Sequence, residues 1–306
     1  MDRLHAMQVF AAVARGGGFA AAARQLGMSP PAVTRAVAAL EEHIGTRLLS
    51  RTTRNVALTE AGHRYLVDVE RILQEMEDAE AAAQGQHASP RGLLTITAPV
   101  MFGRLYIAPI LLDFLDRHPD VTGRLLLLDR VTNLLEEGMD LALRIGHLGD
   151  SSMAAVRVGS VRSVVCASPD YLRRHGVPQH PADLAGHRLI VATSSLGSQE
   201  WRFGDDDRLA VRIHPSLTCN SNAAVVQAVE QGWGVSRLLS YQVGPSVTAG
   251  RIRLVLESFE RKPLPVHLVH LEGRRASAKV RAFIDYAAAR LREDPVVNPR
   301  TAAATA

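Results

Sequence analysis

Apolar residues recur with a helical period between residues 30 and 44. The apolar positions are Val33, Val37, Leu40 and Ile44. Their spacing of four, three and four residues places them on one face of a helix, which we expect to pack against a core. Ser29 precedes Pro30 and Pro31, and an N-cap residue followed by proline in the first turn predicts that the helix begins at about Ser29.

A second short helix and a hairpin flank this segment. Ala23 lies where two helices would cross closely, and Gly27 lies where the turn between them needs a positive φ. Residues 48–50 and 56–58 form two short apolar segments around a polar tip that carries two Arg and two Thr. Two helices joined by a glycine turn and followed by a basic hairpin have the geometry that places one helix in a DNA groove.

The outward face of the predicted helix and the tip of the hairpin are candidates for DNA contact. The first turns of an inserted helix usually meet base edges, and Arg can grip guanine with two hydrogen bonds. The hairpin tip, a wing, offers charged and hydroxyl donors to phosphate oxygens. An ordinary solvated helix face is the alternative interpretation, which the neighbouring turn and wing disfavour. The candidate residues are Ser29, Pro31, Ala32, Thr34, Arg35 and Ala38 on the helix and Arg51, Thr52, Thr53 and Arg54 on the wing.

Residues 63–86 predict one long helix with a narrow apolar seam. The seam consists of Tyr65, Val69, Ile72, Met76, Ala79 and Ala83. Alternating spacings of four and three residues are typical of the a and d positions through which two helices pair. The seam therefore favours dimerisation, and the alternative is a surface helix that packs on its own domain.

From residue 92 onward, strand patterns alternate with helical patterns, which is typical of an α/β sheet. The first set occupies 92–99, 124–128, 132–137, 140–144, 164–167 and 169–175, and a second set follows at 187–192, 217–219, 222–231 and 234–239. Two sets predict two lobes. The expected organisation is a DNA-binding domain at 1–62, a linker helix at 63–88, an α/β domain at 89–293 (lobe one at about 89–165 and 265–293, lobe two at about 166–264), and a disordered tail at 294–306.

The distribution of charge supports this division. Residues 1–64 contain eight Arg and four acidic residues, a net charge of +4, as phosphate neutralisation requires. Residues 65–88 contain one Arg and six acidic residues, a net charge of −5, so we expect this segment to stay off the DNA.

Other classes of function find little support in the sequence. The N-terminus has no apolar signal run and no stretch approaches the length of a membrane helix, so we expect a cytoplasmic protein. There is no nucleophile elbow, no metal-ligand spacing and no glycine-rich phosphate loop, so we expect neither an enzyme nor a bound cofactor or metal. Cys166 and Cys219 fit a reducing compartment in which neither is needed for stability.

The residues described so far resemble those of LysR-type bacterial transcriptional regulators over almost the whole chain. The matching segments include Phe19–Ala22, Leu26–Gly27, Ala32–Arg35, Leu58–Gly62, Ala98–Pro99, His118–Val121, Arg144–Gly146 and Gly232–Val235. The resemblance implies a winged helix-turn-helix, a dimerising linker helix and a two-lobed α/β effector domain similar to periplasmic solute-binding proteins. Many members have Gln at the position of Pro30, so the operator sequence of relatives does not transfer to this chain.

The resemblance also implies a small-molecule effector in the cleft between the lobes, where strand ends and helix starts present backbone N–H groups. Many members have Ser or Thr at the position of Met101, which offers no hydrogen-bond donor, so Arg144 and backbone groups become the expected ligand contacts. The candidate effector-binding residues are Pro99, Val100, Met101, Phe102, Gly103, Arg144, Gly146, His147, Thr193, Ser194, Asn220 and Ser221.

The expected partners are a partly palindromic double-stranded DNA, the effector and further copies of the chain as a dimer or tetramer, and the resemblance also allows contact with RNA polymerase. Two alternatives remain open at this stage. One is a redox-responsive regulator that uses Cys166 and Cys219. The other is a small-molecule-binding module that does not act on DNA.

Overall fold

A computed structural model provides the structure of the chain. It describes residues 2–51, 56–83, 89–149, 153–193, 200–205, 209–271 and 276–298, with the backbone alone for residues 51, 74, 75 and 77–83. The chain divides into two units, Met1–Ser89 and Pro90–Ala306.

The first unit is mainly helical. Its elements are α1 (Arg3–Gly16), α2 (Phe19–Leu26), α3 (Pro30–Ile44), β1 (Leu49–Arg51), β2 (Val56–Leu58) and α4 (Glu60–Ala83). Val33, Val37 and Leu40 of α3 are fully buried against α1, as the helical period predicts. Ile44, which we also expected in the core, is 37% exposed, because it lies in the last turn of α3 beside the exposed Gly45.

The helix α4 begins at Glu60, three residues before the predicted start. The Thr59 hydroxyl accepts a hydrogen bond from the Gly62 N–H at 2.9 Å and donates to the Arg47 carbonyl at 2.8 Å. Thr59 therefore acts as an N-cap, one of the strongest local signals for a helix start. Gly62 is required at its position, because a Cβ there would collide with the Leu48 carbonyl oxygen.

The second unit is an α/β structure with several strands and short helices. Its strands are β3 (Gly92–Ala98), β4 (Val121–Leu127), β5 (Leu141–Ile145), β6 (Ala154–Val161), β7 (Ser163–Ala167), β8 (Leu189–Ala192), β9 (Glu200–Phe203), β10 (Leu209–Arg212), β11 (Pro215–Cys219), β12 (Val235–Leu239), β13 (Arg253–Val255) and β14 (Leu264–His270). Its α-helices are α5 (Val100–Phe102), α6 (Ala108–Arg117), α7 (Pro169–His175), α8 (Asn222–Glu230), α9 (Ser240–Thr248) and α10 (Ala278–Glu293). A π-helical turn at Gly103–Ile107 joins α5 to α6, so residues 100–117 form one continuous helical segment.

Two five-stranded mixed sheets form the two lobes of this unit. The first has the order β4-β3-β5-β14-β6 and the second has the order β11-β8-β12-β7-β13. The chain crosses from the first sheet to the second at Arg162, between β6 and β7, and returns between β13 and β14. The predicted lobe boundary at 165/166 falls inside β7, because two apolar strands follow each other with only Arg162 between them and the hydrophobic pattern does not mark the crossing.

The two crossings lie side by side. In the first sheet β6 pairs antiparallel with β14, and in the second sheet β7 pairs antiparallel with β13. Arg162 on the outgoing crossing and Glu260 on the returning one form an ion pair, with Nη1 3.1 Å from Oε2. The two connections are therefore held together by a side-chain bridge.

Two other expectations are corrected by the structure. Residues 132–137, which we expect to be part of the alternating pattern, form neither a helix nor a strand. Residues 134–138 are turns, and the Asn133 side chain accepts from the Leu135 N–H and competes with helical bonding. Residues 294–298, predicted as the start of a disordered tail, are ordered, and residues 299–306 lie outside the described residues. Val297 is fully buried, and its carbonyl accepts from the Ser160 N–H on β6 at 2.9 Å.

Candidate nucleic-acid interface and ligand cavity

The helix pair α2–α3 is held by a glycine turn and a serine cap. Gly27 has φ of +64°, which favours glycine, and its N–H bonds back to α2. The Ser29 hydroxyl accepts from the Ala32 N–H at 3.4 Å at the start of α3. These local contacts set the angle between the two helices, so that the buried face of α3 lies on the core and its opposite face lies outside.

On its outer face, α3 carries the cationic side chain of Arg35 among small residues. Pro31, Arg35 and Ala38 are exposed, whereas Ala32 and Thr34 are half-buried. The Thr34 hydroxyl donates to the Pro30 carbonyl at 3.0 Å, so its proton is used inside the helix and it offers lone pairs and a methyl group outward. Arg35 makes no hydrogen bond or ion pair with a described residue, which leaves its five donors available to a partner.

The carboxylate of Glu41, on α3, fixes the base of the wing. Strands β1 and β2 pair antiparallel, with Leu49 opposite Leu58. One oxygen of the Glu41 carboxylate accepts from the N–H groups of Leu48 and Leu49 at 2.8 and 2.9 Å. This pair of bonds ties α3 to the first strand of the wing. The side chain of Arg51, and Thr52, Thr53 and Arg54 as a whole, lie outside the described residues, so their contact with DNA stays a prediction.

The first half of the α4 seam packs inside its own unit. Val69 is fully buried in the core, and the Tyr65 ring lies 5.7 Å from the ring of Phe10. The assignment of Val69 to a dimer seam is therefore wrong, because its side chain has no surface left to offer a partner. Ile72 and Met76 are half-buried, and the Ala79 side chain lies outside the described residues. The periodicity of an apolar stripe does not distinguish a residue that packs inside its own unit from one that is available to a partner.

A cavity of about 730 Å³ lies in the second unit and is lined from both lobes. Lobe one contributes the ends of β3, β4 and β5, and lobe two contributes β12 and the starts of α8 and α9. This volume is within the range of small-molecule sites. Three of the residues that the sequence analysis proposed for the effector line it, namely Pro99, Arg144 and His147.

The other proposed residues that the structure describes do not line the cavity. Met101, Phe102 and Gly103 are buried in the core, where the Phe102 ring packs 5.0 Å from that of Tyr241. The Ser221 hydroxyl is occupied as the N-cap of α8. Ser194 lies outside the described residues. The proposed effector-binding residues that are described but do not line the cavity are Val100, Met101, Phe102, Gly103, Gly146, Thr193, Asn220 and Ser221.

Several cavity residues were missed because they come from segments far apart in the chain. Asp129 and Thr132 follow β4, Trp201 lies on β9, and Arg237 lies on β12. A signal was available for the first two, since polar residues directly after a strand are candidates for a ligand edge. Other polar residues of the lining that the sequence analysis missed are Arg130, Asn222, Tyr241, Gln242, Arg261 and Lys262.

The cavity combines cationic groups with an aromatic wall. Arg144 donates to the Thr132 carbonyl at 2.7 Å, and the Arg237 guanidinium lies 4.9 Å from the centre of a ring of Trp201. Arg130 also lines the cavity, but it is paired with Glu137 at 2.6 Å. Burial raises the pKa of the Tyr241 phenol, so this group remains a neutral donor. The arrangement suits a small polar molecule with an apolar body.

The two cysteines lie too far apart for a bond within one chain. Cys166 lies on β7 and Cys219 on β11, and these strands are separated by β8 and β12. Three strand spacings amount to roughly 14 Å, about twice the Cα separation that a disulfide tolerates. Burial also raises the pKa of the Cys166 thiol to about 12, which keeps it protonated.

No group of three or more metal-ligating side chains occurs within the part of the chain that the structure describes. Over the same residues, no helix combines the length and the apolar character needed to cross a bilayer.

Comparison with known proteins gives matches over both units. Residues 4–63 match the model of the bacterial regulatory helix-turn-helix protein, lysR family, and residues 87–292 match the LysR substrate binding domain. An HTH-type transcriptional regulator of Xanthomonas campestris pv. campestris is 37% identical over 94% of this chain and 85% of its own length. The HTH-type transcriptional regulator CrgA of Neisseria meningitidis serogroup C is 34% identical over 92% of this chain and 94% of its own.

A solved structure of CrgA from Neisseria meningitidis, described as a LysR-type transcriptional regulator, is similar to this chain. It is 33% identical, covers 94% of this chain and 98% of its own, and gives a TM-score of 0.61.

Proposed function

Because the chain belongs to the LysR family of bacterial transcriptional regulators, we propose that α3 enters the major groove of a partly palindromic operator and that a small molecule in the described cavity controls the outcome. The protein is a DNA-binding transcriptional regulator with an effector-binding domain. LysR regulators bind DNA and small-molecule effectors and act as oligomers. What is proposed for this chain is which residues carry these contacts.

The DNA contacts are divided between bases and phosphates. Arg35 lies within the first two turns of α3, is exposed and makes no bond with a described residue, so its guanidinium can form two hydrogen bonds with guanine. The small neighbours Pro31 and Ala38 permit close approach of the helix to base edges. Arg51 and Arg54 on the wing bind phosphate and add affinity without sequence preference. The observation that carries this proposal is that Arg35, on the exposed face of α3, has no hydrogen-bond or ion-pair partner among the described residues.

Pairing of two chains gives the protein two recognition helices for successive major grooves, about 34 Å apart. Ile72, Met76 and Ala79, in the C-terminal half of α4, form the proposed contact, and the assembly is a dimer or a tetramer. Since its binding partner is chromosomal DNA, the protein works in the cytoplasm, where RNA polymerase is a further partner. The chain catalyses no reaction and needs no cofactor for this role.

Selection of binding sites from a pool of random DNA duplexes tests the proposal without knowledge of the operator. The selected duplex and a shuffled duplex are then titrated with the full chain at two salt concentrations. We expect Arg35→Ala to weaken binding to the selected duplex by about 1–3 kcal/mol and to relax the sequence preference. Arg54→Ala should weaken both duplexes alike and lower the salt slope by about 0.9.

Arg212→Ala is a matched control, because Arg212 is an exposed arginine of the second unit. It should leave both affinities unchanged. Equal losses on both duplexes for Arg35→Ala and Arg54→Ala would contradict the division between base and phosphate contacts. Recovery of no preferred sequence from the pool would contradict sequence-specific binding itself.

A further inference from the structure

Asp129 joins the two lobes at the edge of the cavity. It follows β4 in lobe one, and its Oδ1 accepts from the Val100 N–H at the start of α5 at 2.9 Å. Its Oδ2 accepts from the Asn222 amide at 3.2 Å, and Asn222 is the first residue of α8 in lobe two. Each oxygen keeps one lone pair. The carboxylate is therefore anchored from both sides and still able to accept a hydrogen bond from a ligand.

The strand order places Asp129 and Lys262 at opposite ends of one sheet edge. In the order β4-β3-β5-β14, Asp129 follows β4 and Lys262 precedes β14. Because β14 runs antiparallel to β5, its start lies beside the end of β5, and both residues border the same edge. Three strand spacings separate them, roughly 14 Å. Both residues line the cavity, and Lys262 makes no ion pair with a described residue.

Arg144 lies between these two ends, on β5. Its described partner is the Thr132 carbonyl and not a carboxylate, so its charge is held in place without being neutralised. Asp129 also contributes to the raised pKa of the Tyr241 phenol, after burial. The cavity therefore runs from an acidic end, beside a neutral phenol, to a basic end.

Resting on the proposed effector role of this cavity, we propose that Asp129 is a specificity-determining residue that excludes anionic groups from its end of the cavity and accepts a hydrogen bond there. The effector class that fits is an amphoteric molecule with an apolar body. Its carboxylate or other anion lies toward Lys262 and Arg144, and its ammonium or neutral donor lies toward Asp129. Trp201 and Tyr241 supply the wall against which the apolar body packs.

Three benzene carboxylates that differ only at the para position test this inference. They are 4-(aminomethyl)benzoate, benzoate and terephthalate, which place an ammonium, a hydrogen and a second carboxylate at that position. The chain has two Trp, of which Trp201 lines the cavity and Trp233 does not, so the full chain with Trp233→Phe reports binding through Trp201 fluorescence. We expect the aminomethyl compound to bind at least about tenfold more tightly than terephthalate, because like charges repel at the acidic end.

Asp129→Asn removes the charge and keeps the shape. Its amide oxygen can still accept from Val100, and the Asn222 amide can rotate to pair with it. We expect the affinity ratio of the aminomethyl compound to terephthalate to fall by about tenfold or more in this variant. Glu136→Gln is the matched control, because Glu136 is an exposed carboxylate of lobe one that does not line the cavity, and it should leave the affinity ratio unchanged.

The possible results separate this inference from the role of the cavity. Terephthalate binding as tightly as the aminomethyl compound, or a ratio unchanged by Asp129→Asn, would overturn the role of Asp129 and leave the cavity as the effector site. Absence of saturable quenching by all three compounds would overturn both. A ratio that falls in Asp129→Asn and stays constant in Glu136→Gln supports the inference.

Discussion

Glu41 offers the sharpest test of how the wing is held. Its carboxylate accepts the N–H groups of Leu48 and Leu49 at 2.8 and 2.9 Å, and both of these residues are buried. Glu41→Ala leaves two backbone donors without this acceptor. A buried unsatisfied group costs about 1–3 kcal/mol, so we expect a loss of about 2–4 kcal/mol in local stability. Glu41→Gln keeps an oxygen acceptor without the charge, and we expect it to cost about 1 kcal/mol.

Amide hydrogen exchange measured by mass spectrometry on peptides that cover residues 46–50 reads this loss directly, since every 1.4 kcal/mol is about a tenfold change in the opening equilibrium. Exchange should accelerate by about 30-fold to several hundred-fold in Glu41→Ala. The matched control is Glu42→Ala, because Glu42 is the exposed neighbour and carries the same charge. It should leave the exchange unchanged.

DNA affinity separates geometry from charge in the same variants. Both alanine variants remove one negative charge from α3, which by itself strengthens attraction to phosphate. We therefore expect Glu42→Ala to bind DNA as tightly as the parent chain or slightly more tightly, and Glu41→Ala to bind more weakly because the wing is no longer fixed. Equal exchange rates in the two variants, or tighter DNA binding by both, would refute the reasoning.

Two further predictions concern cysteine chemistry and pH. Peroxide treatment should give no Cys166–Cys219 cross-link in peptides digested without reductant. Iodoacetamide should modify Cys219 in the native chain, but Cys166 only after denaturation. A cross-linked Cys166–Cys219 peptide from monomeric protein would contradict the strand order. Burial lowers the pKa of His270, whose Nδ1 has no hydrogen-bond partner within the described structure, so the unfolded chain takes up a proton more readily than the folded one. The free energy of unfolding of the second unit should therefore be at its full value above about pH 7. It should fall as the pH drops below the ordinary histidine pKa of about 6.5. Urea titrations followed by Trp fluorescence should show a flatter fall for His270→Phe, and an unchanged slope would contradict the assignment.

The sequence was most informative where structure is local. The bounds of α3 follow from Ser29, the two prolines after it and Gly45, each of which acts on its immediate neighbours. The cavity could not be found in this way, because Asp129, Trp201 and Lys262 meet only after two sheets have formed. Met101 is the clearest error. Its position after a strand indicated a ligand contact, but its side chain turns into the core, and only the packed structure shows which way a residue at a strand end points.

The paired crossings between the lobes limit how the second unit can move. Two lobes joined by one connection can rotate in any direction about it. Two adjacent connections favour a hinge rotation about the line that joins them. Arg162 and Glu260 fix the spacing of these connections with bonds of 3.1 and 3.2 Å from one guanidinium nitrogen to both carboxylate oxygens. Such a bend changes the opening angle between the lobes. A molecule bound between them would act on that angle.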